Sequence, residues 1–372
     1  MVSSEAWYQI KNIESIDSPT LVVYPDRIKA NIKMMLQILD GDATRLRPHV
    51  KTYKMAEVVQ MQMEQGISKF KCATIAEAEM LGDLGAKDIL LAYQPVGPKV
   101  GRLMQLIQRF PDLKFSALVD HPDGLKGLNT AAEKAGTTID LYLDLDVGMH
   151  RTGIEPGLGA FELWQLGQTL NGTNIVGLHI YDGHLRDSDF NERKRWSDEG
   201  FRKAQKLLER IELTTEEPIR IVAGGTPTFP AHALRPNVEC SPGTSLLWDW
   251  GYDQLFPDLE FQFGALVVCR VISKPTPDTI CVDLGHKAIA AEQPFPRVQF
   301  LNLPDVRHVS QSEEHLVLEL PVNKSLEIGD ILYGVPQHIC PTCALYDKAK
   351  VVIDNQSNSD WKIVSRNRKL TI

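Results

Sequence analysis

Cysteine is scarce in this chain. Six residues of 372 (Cys72, Cys240, Cys269, Cys281, Cys340 and Cys343) lie mostly scattered, so there is no disulfide framework, and the usage fits a reducing compartment. Long apolar runs are missing too. The most apolar window, near Phe261 to Ile272, is short and contains Arg270, which makes it unfit to span a bilayer. The first twenty residues mix charge into every window and lack the apolar stretch of a signal peptide. Basic charge is not in excess: 40 Lys and Arg against 48 Asp and Glu give a net charge of −8, against a dedicated nucleic-acid binder. No internal repeat or low-complexity segment stands out. The expectation is a soluble cytoplasmic protein with neither nucleic acid nor membrane as partner.

What is present fits a globular enzyme-sized chain. Hydrophobic residues make up 43% and charged residues 24%, too apolar for a disordered chain. The length suggests two domains, or one large domain with an appendage. From about residue 20 to 250, short apolar runs alternate with helical patterns. The strand-like runs are 44–51, 69–73, 88–92, 114–120, 138–146, 174–181, 219–223 and 237–240. Thr74 and Glu77 read as a capping box, and Gly85 and Gly136 as helix stops. Strand–helix alternation implies a parallel sheet, and eight such units predict a (β/α)8 TIM-like barrel, with an open doubly wound sheet as runner-up. After residue 255 the runs are short, strand-like and separated by turn residues, predicting an antiparallel β domain. The expected division is an N-terminal segment 1–18, a barrel 19–255 and a β domain 256–372.

A barrel places its chemistry at the C-terminal ends of its strands. The first expected strand ends in Arg45-Leu-Arg47-Pro-His49-Val-Lys51, and period-two alternation puts its four basic groups on one face. If that face points inward, Lys51 sits among cations that disfavour its ammonium form, as a Schiff-base lysine requires. The other reading is an exposed edge of solvated charges, with Lys54 as a spare candidate. Gly224-Gly225-Thr226 follows the seventh run and Gly243-Thr244 the eighth. Glycine N–H groups and threonine hydroxyls there suit a phosphate, although such loops also serve as plain turns. Lysine with phosphate suggests pyridoxal phosphate (PLP). Asp144, Asp146, His179, Tyr181 and His184 lie at the ends of the fifth and sixth runs, where each could equally be structural. His338 and Cys340, at i and i+2 of an extended segment, project to one side as two ligands of one metal would. A chance pair in a turn is the alternative.

These residues carry a resemblance to the fold-type III PLP enzymes, and within them to the D-threonine aldolase and D-serine dehydratase group with its alanine-racemase-like barrel. The similarity covers nearly the whole chain, through R-P-H-V-K-T-x-K at 47–54, D-V-G-x-x-R-T-G at 146–153, G-G-T-P-T at 224–228 and P-x-H-x-C-P-T at 336–342. The resemblance implies that Lys51 holds PLP as a Schiff base and that Arg151 and Tyr181 line the cofactor. Gly224, Gly225, Thr226, Gly243 and Thr244 would take its phosphate, and His338 and Cys340 a divalent metal near the substrate hydroxyl. It further implies a homodimer whose β domain helps close the partner's barrel, with the N-terminal residues packed on the β domain.

The implied activity is a PLP- and metal-dependent lyase acting on β-hydroxy D-amino acids. Aldolase cleavage to glycine and an aldehyde is placed first, because His184 follows Tyr181 by three residues; the family's base register falls near Asp187 instead, so either His184 has taken the base role or the reaction differs. The alternative is dehydration of D-serine, D-threonine or 3-hydroxyaspartate to a keto acid and ammonia, with Lys51 taking the Cα proton. Cys340, where some aldolases of the group carry Asp, favours zinc over manganese or magnesium and leans toward the dehydratase branch. An amino-acid racemase and a non-catalytic PLP-binding protein are the remaining alternatives.

Overall fold

The computed structural model describes residues 6–372, which fall into two compact units. One unit contains the residues up to Lys33, Thr52–Glu57 and Thr244–Val364; the other contains Met34–Lys51, Val58–Gly243 and Ser365–Ile372. Strands are numbered in chain order, so β1 (Thr20–Val23) belongs to the first unit.

The second unit is built on one parallel sheet of seven strands arranged in chain order. These are β2 (Lys69–Cys72), β3 (Asp88–Leu91), β4 (Lys114–Val119), β5 (Ile139–Leu145), β6 (Thr173–Ile180), β7 (Arg220–Ala223) and β8 (Val238–Cys240). Their near-continuous apolar runs reflect burial on both faces, as crossover helices require. The helix Ile75–Asp83 starts on the expected box: Thr74 Oγ1 accepts the Glu77 N–H at 3.1 Å, and Glu77 Oε2 accepts the Ala73 N–H at 2.6 Å. Gly85 and Gly136 follow their helices with φ of 75° and 65°.

The strand expected at 44–51 does not form. Ala43–Arg45 is a 3-10 turn, and only Leu46 and His49 make isolated bridges, to Cys240 and Lys71. Pro48 supplies the physical reason: it has no N–H for a ladder and can only accept, here from Lys71 N–H at 2.9 Å. The segment still reaches both edge strands. Arg47 N–H donates to Cys240 O at 2.9 Å, and Val50 N–H to Lys71 O at 2.9 Å. The structure thus shows a curled parallel sheet of seven strands, one strand short of the expected eight.

The first unit is a mixed sheet. Its later strands are β9 (Ala265–Thr276), β10 (Thr279–Val282), β11 (Val298–Phe300), β12 (Arg307–Gln311), β13 (Leu316–Glu319), β14 (Ile331–Pro336), β15 (Lys348–Ile353) and β16 (Gln356–Lys362). The order is β12-β13-β10-β9-β1-β15-β16, with β14 also on β9 and β11 on β14. All pairs are antiparallel except β1 with β15, so the expected purely antiparallel domain is corrected by one strand from far upstream. Four residues, Thr-Leu-Val-Val, are too short to announce a strand; pairing on both sides makes one. Residues 6–18 pack in this unit, with Ile10 and Ile16 in the core beside Tyr24, Tyr333 and Val335. Residues 1–5 of the expected N-terminal segment lie outside the described residues.

Candidate active site

The four basic residues of segment 45–51 do not share one environment. Arg45 donates to the carbonyls of Ala233 and Arg235 at 2.8 and 2.6 Å. Arg47 is fully buried, bonding Asp88 at the start of β3 and Glu239 on β8, both at 2.7 Å. Burial alone would lower its proton affinity, but the two carboxylates outweigh that and raise it. His49 is half-buried and its Nδ1 accepts the Lys51 N–H at 3.3 Å; Lys51 itself is exposed in a turn. The expected row of cations at one mouth is thus corrected: the lack of a regular strand lets successive side chains diverge.

A second lysine, not singled out from the sequence, occupies the middle of the second unit. Lys71 on β2 is 2% exposed; its Nζ lies 3.5 Å from His179 Nε2 and 5.8 Å from the centre of the Tyr181 ring. Burial, then the charge of Lys51, lowers its amine to about 7, with Asp144 opposing, Arg47 adding to the fall and Asp182 opposing. His179 Nδ1 is 2.7 Å from Asp144 Oδ1. Burial lowers that imidazole despite the Asp144 hydrogen bond, and Lys71 adds to the effect. The Arg151 guanidinium lies 5.1 Å from the Tyr181 ring centre, a cation–π arrangement. The only sequence signal for Lys71 was a lysine between Phe70 and Cys72 in a run buried on both faces.

The two glycine loops meet. Gly243 N–H donates to Thr226 Oγ1 at 3.0 Å. Gly225 lies so close to Tyr181 that a Cβ there would sit 3.0 Å from the ring, which explains glycine at this position. Beneath this loop, buried Asp182 binds Thr228 Oγ1 at 2.6 Å, His232 Nε2 at 2.9 Å and Ser197 Oγ at 3.1 Å. Burial opposes the charged form of Asp182, yet His232 and the two hydroxyls hold the carboxyl down to about 2. Neither the His232 nor the Ser197 link was visible in the sequence, since they join positions far apart. His184 is exposed, with Nε2 the ring atom nearest Gly148; a Cβ built there would approach it to 3.0 Å. Asp187 is engaged in its loop, its Oδ1 accepting the Asp189 N–H at 3.0 Å.

In the first unit, His338 and Cys340 do not lie on an extended strand as expected. β14 ends at Pro336, His338 caps a short helix, Ile339–Cys343, and Cys340 and Pro341 lie inside it. Asp249 causes the change by taking the Ile339 N–H at 3.1 Å and the Tyr252 N–H at 3.0 Å. Glu292 Oε1 lies 2.5 Å from His338 Nδ1. Burial would lower that imidazole, but hydrogen bonding and charge from Cys340, then Glu292 and Asp249, raise it to about 9. Thr52 Oγ1 and Thr244 Oγ1 lie 3.2 and 3.5 Å from Cys340 Sγ, so Thr244 faces the thiol, while burial pushes the Cys343 thiol well up. Among the described residues, no three or more His, Cys, Asp or Glu side chains are grouped to hold a metal. A two-ligand nitrogen–sulfur pair remains, and its donor set fits zinc with the other positions open. Glu292 on the second imidazole nitrogen is the partner that fixes a ligating histidine's tautomer.

Known proteins match this chain over nearly its full length. The family of the alanine racemase N-terminal domain matches residues 23–248, and a putative serine dehydratase domain matches residues 264–352. A D-threonine aldolase of Arthrobacter sp is 28% identical over 359 residues, 94% of this chain and 93% of its own length. A D-threo-3-hydroxyaspartate dehydratase of Delftia sp. (strain HT23) is 25% identical over 379 residues, 94% of this chain and 97% of its own. The crystal structure of D-threonine aldolase from Filomicrobium marinum superposes with a TM-score of 0.88 at 25% identity, covering 94% of this chain and 96% of that one. Among the described residues, no helix is long and apolar enough to cross a membrane.

Proposed function

Because the chain belongs to the family of the alanine racemase N-terminal domain and continues into a serine dehydratase-like domain, we propose that it is a PLP-dependent lyase of β-hydroxy D-amino acids. The observation that carries this reading is the cluster beside Lys51: Lys71, His179, Tyr181 and Arg151 within one unit, with the glycine loops 224–226 and 243 joined to each other. An amine, two cations, an aromatic ring and loops of glycine and threonine are the donor set that a phosphorylated aldehyde needs. PLP supplies an electron sink for charge at the substrate Cα, and a divalent metal supplies a Lewis acid for the β-oxygen.

The protein's own groups divide the remaining work. Lys51 is the attachment residue, Arg151 and Tyr181 line the ring, and Gly224, Gly225, Thr226 and Gly243, with Thr244 beside them in sequence, take the phosphate. His338 and Cys340 hold the metal, zinc before manganese or magnesium, and Glu292 keeps His338 in the tautomer that offers its other nitrogen. For retro-aldol cleavage, the β-hydroxyl proton goes to His184, because Asp187 is committed to its own loop. For dehydration, Lys51 takes the Cα proton. The sulfur ligand at Cys340 favours this second reading, since thiolate selects zinc. We read segment 46–50 as the eighth stave of the barrel, the protein as a cytoplasmic homodimer, and 19–255 and 256–372 as its cofactor and β domains.

Incubation with D-threonine and with D-serine, each with and without zinc, tests the activity. Glycine with acetaldehyde is the aldolase outcome, and 2-oxobutyrate or pyruvate with ammonia the dehydratase outcome. No product from either substrate, or interconversion of enantiomers alone, would overturn the reading.

A further inference from the structure

Lys71 is the buried ionisable group that the roles above leave unused. It faces Lys51 and Arg47 from segment 46–51, Asp144 from β5, and His179, Tyr181 and Asp182 from β6 and its end; Arg151 acts on the same His179. Its backbone is paired with the residue before Lys51, through the Val50 N–H to Lys71 O bond of 2.9 Å. Its amine points to His179 Nε2, whose ring is anchored through Nδ1 to Asp144. This is an ammonium site with a built acceptor, held in a pocket that two other cations make unfavourable for charge.

We propose that Lys71 is a positioning residue for the Lys51 site, taking up a proton when Lys51 captures an anionic aldehyde and serving as that ligand's counter-cation. The inference rests on the reading of Lys51 as the cofactor lysine. In the capture, the Lys51 ammonium sheds one proton, its Nζ adds to the aldehyde carbon, and the carbonyl oxygen leaves as water with the two remaining amine protons, giving a neutral C=N bond. The proton shed by the Lys51 ammonium moves to Lys71 rather than to solvent. Two changes drive it there: the neighbouring ammonium is consumed, and the ligand brings negative charge into a low-dielectric site. In the free protein above about pH 7 the Lys71 amine is neutral and able to accept.

The test uses the full chain, stripped of aldehyde with hydroxylamine and titrated with pyridoxal phosphate at pH 8 in weak buffer with a pH indicator. Borohydride reduction and peptide mapping report the attachment site. Lys71→Met is expected to release one more proton per chain than the unaltered protein and to bind the ligand at least tenfold more weakly. Lys71→Arg, a permanent cation, is expected to release the same extra proton yet keep its affinity within about threefold. If Lys71→Met fails to fold, Lys71→Arg still supplies the proton count. Equal counts in variant and parent, with Lys51 labelled, would refute the role of Lys71. Absence of label on Lys51 in the parent overturns the cofactor-lysine reading itself.

Discussion

Asp182 concentrates more charge-assisted hydrogen bonding than any other single residue around the glycine loop, and it is 2% exposed. Its carboxyl is held at about 2 in the folded protein, against an ordinary value near 4. For an acid depressed by folding, the stabilisation is complete above the unfolded value and is lost as pH falls through about 4 toward 2. Asp182→Asn is therefore expected to cost about 3 kcal/mol near neutral pH, because Thr228, Ser197 and His232 lose the buried carboxylate they are bonded to. The deficit relative to the parent should shrink as pH falls from about 4 toward 2, where the parent's carboxyl protonates as well. Urea unfolding followed by circular dichroism at pH 7, 4 and 3 measures it, and a deficit independent of pH would contradict the charge pairing. At this scale the sequence offered residue types and little else. The sequence named Tyr181 and Arg151, which the structure places against each other, but not Lys71, Ser197 and His232, since these meet their partners only through elements separate in the chain.

Among the elements, segment 46–50 does the most with the least regular structure. It hydrogen-bonds to β8 on one side and to β2 on the other, and Arg47 ties β3 and β8 together through Asp88 and Glu239. Replacing Arg47 with Met leaves the mostly buried Asp88 without its bonded cation, while Glu239 keeps Lys69, and is expected to cost about 3–5 kcal/mol. Thermal unfolding in pH 7 buffer checks this, and an unchanged midpoint would show that the ion triad contributes nothing net. Seven of the eight strand-like runs were readable because strands buried on both faces of a parallel sheet are continuously apolar. The eighth run alternates as a strand does, but Pro48 lacks the N–H that a regular ladder needs, which a period-two pattern does not register. The same failure, reversed, affected His338 and Cys340. Local pattern suggested extended chain, but the Asp249 carboxylate, far upstream, captures the Ile339 N–H and starts a helical turn. The thiol and imidazole consequently reach each other by a route that period-two alternation does not describe.

For the molecule as a whole, the His338–Cys340 pair proposed for a metal and the lysine cluster belong to different compact units. The short helix bearing Cys340 is held by Asp249 and by the Thr342 hydroxyl donating to His338 O at 2.8 Å, neither of which needs a metal. Stripping divalent metal with a chelator is accordingly expected to lower lyase turnover at least about 100-fold while PLP attachment and unfolding temperature stay unchanged. Metal content, turnover and reduced-cofactor mapping on one sample decide it; full activity without metal would remove His338 and Cys340 from the reaction. The fold sorts the scarce cysteines: Cys343 is sealed and protonated, and Cys340 is half-buried between two threonine hydroxyls. By itself the sequence determined the alternation of strand and helix, the change to short strands after residue 255, and the types of residue available for chemistry. These follow from burial periodicity and local capping, which act over a few residues. Tertiary structure alone decided that β1 joins the distal sheet, that Pro48 reduces eight strands to seven, and that Lys71 is the buried amine of the site. Those outcomes depend on desolvation and on pairing between positions distant in sequence, which no local window contains.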